Sequence, residues 1–487
     1  MNQTEKKRRA RAGLLLIASP RFKNLSGPQR GTYHERKLKV VEEIKESLDF
    51  LDLSYPGIVY EREDAEKAMR LFYNDKVDFI VAEFLSWSED FAWIRFLRDC
   101  PDIPMIFTNI AQPRMTFETT LDEDDFIDYL CAGTLVGSLE ASGSIRRVPR
   151  ENVKVVMGSR EQISDKIRVF SVADRTRAIL RESNVGLMAN MNEAMWSTYI
   201  DNYDLFTKIG PEIHYLPYSD YGSAIDALTD EEVKEYADEL VSKYEMMPDV
   251  EYDKFIGCVK ATLAIKKLAE KNDIDCYVYN DIDQATFRTA GCRAGFYPQW
   301  FNDNMSVLVP EADIGAGLIT YILKLMSGKN VNFLEPFHIE DDYGTFAGGH
   351  AGPNDHNDPA WQGNVKIARD VRFAKTSWKY AGAPFAWYRF SPGMKTIAGL
   401  YEENGKYKLI CFMAESLDPK DTPQSQKKHL LATYSHGIFK PVVPPKELFE
   451  QIIQIGATQH FAIVDGDWRA QLADFAEIMG LEFHSIK

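Results

Sequence analysis

The chain has 487 residues, enough for about three domains of ordinary size. Hydrophobic residues make up 45% and charged residues 27%, with 12% aromatics, which excludes wholesale disorder and collagen-like or low-complexity architecture. Lys and Arg number 57 against 73 Asp and Glu, a net charge of −16, so nucleic acid and anionic membrane are repelled and neither is expected as a main partner.

The N-terminus places Lys6, Lys7, Arg8, Arg9 and Arg11 before Leu14-Leu15-Leu16-Ile17-Ala18, the order found at the start of a signal peptide. The apolar stretch is short, however, and polar residues 21–23 follow with no small-x-small cleavage site. It reads as a charged arm entering a buried strand. No apolar run reaches the ~18 residues of a membrane span. Cys100, Cys131, Cys258, Cys276, Cys292 and Cys411 are scattered without a CxxC pair, as expected of reduced core residues in a cytoplasmic protein.

Strand-like apolar runs at 14–18, 78–82, 105–108 and 153–157 alternate with helical spacing at 35–49 and 64–73. This is βαβ order and predicts a mostly parallel sheet. The pattern restarts with a strand at 185–189, helices at 230–244 and 252–271, and strands at 275–279 and 306–309. A helix follows over 313–326, with Ile314, Leu318, Ile319, Ile322, Leu323 and Met326 on one face and Gly328 as its C-cap. Past residue 330 the pattern becomes β-rich. Residues 365–374 alternate, and strands at 396–401 and 407–413 flank Asn404-Gly405, a hairpin signal. A helix at 469–479 closes the chain, and 344–358 reads as a long loop rich in Gly, His, Asn and Asp. The expected fold is α/β, with an N-terminal α/β domain over 1–160, a central α/β domain over 161–328 and a β-rich domain over 329–487.

Four polar residues stand out. Glu311 lies between a strand end and a helix start, where α/β sheets place ligands; it could equally be a helix-capping acid. Glu335 sits in Val331-Asn332-Phe333-Leu334-Glu335-Pro336-Phe337, where an acid must be paired or ligating if buried, or else lies exposed on an edge. His350 lies among glycines and His460 just before an apolar run; each could be a plain solvated histidine. His356 and the 338–342 run are expected to be solvated. No phosphate loop, HExxH or GxSxG motif is present. Two carboxylates and two imidazoles suit a divalent ion such as Mn²⁺ better than zinc.

Glu311-Ala312-Asp313, Phe333-Leu334-Glu335, Gly349-His350, Gly456-Ala457-Thr458-Gln459-His460 and Asn190-Met191-Asn192-Glu193 together resemble the L-arabinose isomerase family, and more distantly L-fucose isomerase. The likeness in order and spacing runs from about residue 150 to the C-terminus. It implies two Rossmann-like (flavodoxin-like) parallel-sheet domains followed by a β-barrel-containing domain. It also implies that Glu311, Glu335, His350 and His460 hold Mn²⁺ or another divalent metal, and that the two glutamates move protons in an aldose–ketose isomerisation through an enediol. Met191 and Asp281 are then substrate-facing, and the chain is expected to form a homo-oligomer, a hexamer or another multiple of trimers, in which a neighbour's first domain completes the pocket.

The sequence departs from the family pattern at sugar-contacting positions. Ser19-Pro20-Arg21-Phe22 stands where the family has a Gln-His pair, 134–137 lacks a family His, Asp281 replaces an aromatic, and Gln459 replaces a tandem His. The expected substrate is therefore a pentose or hexose that is not strictly L-arabinose. The alternatives are a non-catalytic sugar-binding or sensor protein, and a metal-dependent aldolase or epimerase.

Overall fold

The computed structural model describes residues 3–114, 122–148, 150, 152–350, 352–359, 362–370, 382–422 and 435–487. The chain divides into two compact units, Arg8–Ala178 and Ile179–Lys487, the latter including Met1–Lys7. The central and C-terminal segments thus share one unit.

In the first unit, strands β1 (Arg11–Ile17), β2 (Asp52–Ser54), β3 (Phe79–Phe84), β4 (Met105–Ile110) and β5 (Val153–Gly158) form a parallel sheet in the order β2-β1-β3-β4-β5. Helices cross between the strands, so β1 and β3 are buried along nearly their whole length and read as continuous apolar runs. Phe72, Phe84, Trp93, Phe96 and Phe107 fill the core beside them. The Tyr33–Ser47 helix starts on a capping box, with the Thr32 hydroxyl accepting from Glu35 N and the Glu35 carboxylate from Thr32 N.

The second unit contains a second parallel sheet of β6 (Asn184–Met188), β7 (Glu212–Leu216), β8 (Cys276–Tyr279) and β9 (Val307–Val309), ordered β9-β8-β6-β7. Part of the charged N-terminal arm belongs here. Lys6 is buried, pairs with the Asp275 carboxylate and donates to Asn304 O at 2.9 Å and Ser306 Oγ at 3.0 Å.

The β-rich region is a closed six-stranded antiparallel barrel. Its strands are β10 (Asn332–Glu340), β11 (Thr345–His350), β12 (Gly393–Glu403), β13 (Lys406–Ser416), β14 (Ser435–Pro441) and β15 (Phe461–Asp465). Pairing runs β12-β15-β10-β11-β14-β13, and β13 returns to β12 to close the ring. β16 (Glu482–Ser485) adds in parallel to β13. The barrel-containing C-terminal region expected from the sequence is therefore present. Asn404 (φ +53°) and Gly405 (φ +78°) make the tight β12–β13 turn that the Asn-Gly pair predicted. The loop expected over 344–358 is in part a strand, since 345–350 is β11. Of the alternating stretch at 365–374, Lys366–Arg369 is a strand and 371–374 lie outside the described residues.

One helix brings sheet and barrel together. The Ile314–Ser327 helix follows β9, is buried on nearly all sides and ends on left-handed Gly328. It lies so close to β12 that a Cβ on Gly315 would stand 2.2 Å from Leu400 O. Among the described residues, no helix is long and apolar enough to cross a membrane. All six cysteines are free, five of them buried.

Candidate metal centre

Glu311 occupies a turn between β9 and the Ile314–Ser327 helix. Both Glu311 (φ +67°) and Ala312 (φ +54°) are left-handed, an uncommon conformation for residues with a Cβ, and one kept only where neighbours enforce it. The enforcing groups are visible. Glu311 N donates to Asp281 Oδ1 at 2.9 Å, Ala312 N to Tyr279 O at 3.1 Å, and Asn192 Nδ2 to Glu311 O at 3.1 Å. The strained turn is thereby tied to the C-terminal ends of β6 and β8.

Glu335 and His350 come from paired strands of the barrel, with Glu335 opposite Gly349. A Cβ on Gly348 would stand 2.9 Å from Glu335 O, so the glycine lets β11 run close to β10. His460 immediately precedes β15, whose Phe461 is opposite Leu334. Three neighbouring strands of a hydrogen-bonded ring therefore carry Glu335, His350 and His460 at the same level.

The four side chains meet. His350 Nε2 lies 2.9 Å from Glu311 Oε1 and 3.9 Å from Glu335 Oε2. His460 Nε2 lies 3.2 Å from Glu311 Oε2 and 3.4 Å from Glu335 Oε1. Donor atoms of Glu311, Glu335 and His460 all fall within 4.8 Å of one another. His350 and His460 are buried, Glu311 is 4% exposed and Glu335 is half-buried. Phe333 walls the cluster, its ring centroid 4.8 Å from His350 and 4.7 Å from His460.

The donor set fits a divalent cation. Glu311 Oε2 and His460 Nε2 are buried, face each other and have no hydrogen-bond partner among the described residues. Buried polar atoms are almost always satisfied, so two orphans aimed at one point mark a place for a ligand. Among the described residues no Lys or Arg pairs with Glu311, Glu335 or Asp313, so the carboxylates there outnumber fixed cations. Burial opposes charge on Glu311, but His350 and His460 more than offset it and hold the carboxyl well below the usual range. Burial likewise opposes charge on His460, and the carboxylates of Asp313, Glu311 and Glu335 raise it well above the usual imidazole value. Carboxylates and imidazoles here stabilise one another's charged forms.

Two residues stand behind the cluster. His460 Nδ1 donates to Asp313 Oδ2 at 2.7 Å, which fixes the ring and turns Nε2 toward Glu311. Asp313 Oδ1 meanwhile caps the helix through Ala316 N at 2.9 Å. An Asp313→Asn variant keeps a good cap, so stability should change little. Mn²⁺ affinity measured by calorimetry should fall about 10–100-fold, the usual loss when a ligand's outer partner is changed.

Beneath Glu311, Asp281 is fully buried. Its Oδ2 pairs with Arg293 Nη2, and Arg293 Nη1 reaches Asp370 Oδ2 at 3.1 Å. Burial raises the Asp281 and Asp370 carboxyls, the latter to about 6, with Arg293 pulling both back down. The sequence reading expected Asp281 to face substrate. Both its oxygens are engaged within the protein, and it acts as a brace for the Glu311 turn. Met191 lies half-buried after β6, its carbonyl accepting from Asn190 Nδ2 at 3.1 Å. Arg293 and Asp370 were not singled out from the sequence, and Asn192 and Asp313 entered only as members of the stretches that carry the resemblance. Asp313 had a local signal besides, an acid at a helix start two residues beyond Glu311.

His356, expected to be solvated, is buried. Its Nε2 accepts from Tyr297 N at 3.1 Å and its Nδ1 lies 3.1 Å from Tyr244 Oη. Burial, helped by the charge of Lys243, lowers its pKa from 6.5 to about 3. The unfolded chain then binds a proton between pH 6.5 and 3 that the folded chain refuses. This contribution to stability is complete above pH 6.5 and is lost as pH falls toward 3. Denaturation midpoints across that window should fall more steeply for the native chain than for His356→Gln.

No family model and no curated protein matched this chain.

Proposed function

We propose that the protein is a metal-dependent aldose–ketose isomerase acting on an open-chain pentose or hexose other than L-arabinose. The observation that carries this reading is the meeting of Glu311, Glu335, His350 and His460, remote in sequence, around two orphaned buried donor atoms. The β2-β1-β3-β4-β5 order supports the flavodoxin-like form expected for the first sheet, and the order of the second sheet is compatible with the same form. Six free cysteines suit a reducing, cytoplasmic setting.

Glu311, Glu335, His350 and His460 would hold a divalent ion such as Mn²⁺, which would supply Lewis acidity toward the sugar's carbonyl oxygen. The remaining chemistry belongs to the chain. One glutamate takes the proton from the carbon beside the carbonyl, and that proton returns to the former carbonyl carbon. The neighbouring hydroxyl proton passes to the old carbonyl oxygen, so the double bond shifts and no atom is gained or lost. Half-buried Glu335 is open to a substrate, and Glu311 is held rigidly by its braced turn. Phe333 keeps water from the imidazole side.

The test is a panel of unphosphorylated pentoses and hexoses incubated with and without Mn²⁺, with products identified by chromatography and mass. Metal-dependent formation of a ketose of unchanged mass is expected from at least one sugar. Tight binding with no turnover across the panel would favour a sensor, and cleavage products an aldolase.

A further inference from the structure

A cavity of about 340 Å³ opens where the loops after β6 and β8 diverge. The order β9-β8-β6-β7 makes this the switch point of the second sheet, because the chain leaves β6 toward one edge and β8 toward the other. Open parallel sheets place ligands at such points, outside the C-terminal ends of their strands. Asn190, Asn192, Glu193, Asn280, Ile282 and Asp283 line the cavity, and none of the four metal-side residues does.

Asn280 is the deciding residue. It is 2% exposed, and its Oδ1 has no hydrogen-bond partner among the described residues. Its other polar groups are satisfied. Asn280 N donates to Met188 O at 2.8 Å, its Nδ2 to Asn190 O at 3.3 Å, and its carbonyl accepts from Thr286 Oγ1 at 2.6 Å. The side chain is therefore held in place with one acceptor left over, which a ligand hydroxyl would satisfy. Asp283 is oriented in the same way, by Tyr218 Oη at 2.8 Å and Ala285 N at 2.8 Å.

The lining also limits the ligand. Asn190, Asn192, Asn280 and Gln284 with two carboxylates make the wall polar, and an apolar occupant would leave Asn280 Oδ1 unpaired. No Lys or Arg lines the cavity, so a phosphate or carboxylate would enter a wall already negative. We propose that this cavity binds an uncharged, polyhydroxylated ligand of the sugar class through Asn280 and Asn190, without help from a metal. Naming a sugar, as the far end of the substrate, rests on the isomerase reading; the lining alone asks for an uncharged polyol. Asn192 links the two places, lining the cavity while its Nδ2 holds Glu311 O. Occupancy of the cavity can therefore tighten the Glu311 turn.

The test is calorimetry on chelator-stripped full-length protein, using the same unphosphorylated sugars with ribose 5-phosphate as the anionic probe. Saturable binding of at least one neutral sugar is expected, at least tenfold tighter than ribose 5-phosphate. Asn280→Leu should weaken it tenfold or more, whereas Asn280→Asp, which keeps shape and acceptor, should weaken it less. If Asn280→Leu does not fold, Asn190→Ala takes its place with the same expectation. No saturable binding, preference for the phosphate, or unchanged affinity in the variants would overturn the proposal. Binding to the stripped protein with no turnover of any sugar once Mn²⁺ is added would sink the isomerase reading and leave the cavity standing. Turnover with KM unchanged in Asn280→Leu would do the reverse.

Discussion

Replacing Glu311 by Gln is expected to reduce sugar turnover by about 10²–10⁴-fold, the range over which a positioned general acid or base contributes. The substitution preserves volume and leaves untouched the backbone N–H that donates to Asp281 and the carbonyl that accepts from Asn192 Nδ2, so the turn should persist. What changes is the carboxylate, whose Oε1 lies 2.9 Å from His350 Nε2 and whose Oε2 is the buried orphan. An amide there carries no charge and offers a single acceptor. Mn²⁺ affinity should drop as well, so turnover must be measured at saturating metal to separate the two losses. The measurement is initial ketose formation across a metal titration. A variant within twofold of the native rate at saturation would remove Glu311 from the chemistry.

The second large effect is on stability. Arg293→Met should destabilise the fold by about 3–5 kcal/mol, the usual result of stripping one partner from a buried ion pair. Arg293 is 4% exposed and binds Asp281 and Asp370, both as deeply buried. Methionine fills much of the space but removes the charge that Arg293 presents to both carboxylates. The double variant Asp281→Asn/Arg293→Met should recover part of the loss, because it removes one stranded anion along with the cation. Urea denaturation of the two variants and the native chain gives the comparison. Equal stability of the single and double variants would show that Asp281 carries no unpaired charge once Arg293 is gone.

Local signals made much of this architecture legible. Continuous apolar runs marked the parallel strands because helices cover both faces, and Asn404-Gly405 marked the hairpin because only such residues take its left-handed turn readily. β11 was missed for a physical reason. Gly348-Gly349 and His350 have poor strand propensity, and Gly348 is present because Glu335 O lies close, a fact of pairing rather than of local sequence. The four candidate ligands could be nominated one by one, but their meeting depends on the barrel register and the Glu311 turn. Asp281 was misjudged because its partner Arg293 stands on a different segment and nothing in their spacing announces the pair. His356 was misjudged for the same reason, its partners Tyr244 and Tyr297 being far away in the chain.

The closed ring of strands has a consequence for how this protein could change over time. Glu335, His350 and His460 are mounted on a hoop with no free edge, so their mutual spacing is set by backbone pairing and cannot drift without breaking several ladder bonds at once. Loops beyond β6 and β8 lie outside that ladder, and their tie to the cluster runs through Asn192 and Asp281, which hold the Glu311 turn. Mutation can therefore remodel the rest of those loops while the spacing of the side chains mounted on the hoop is kept.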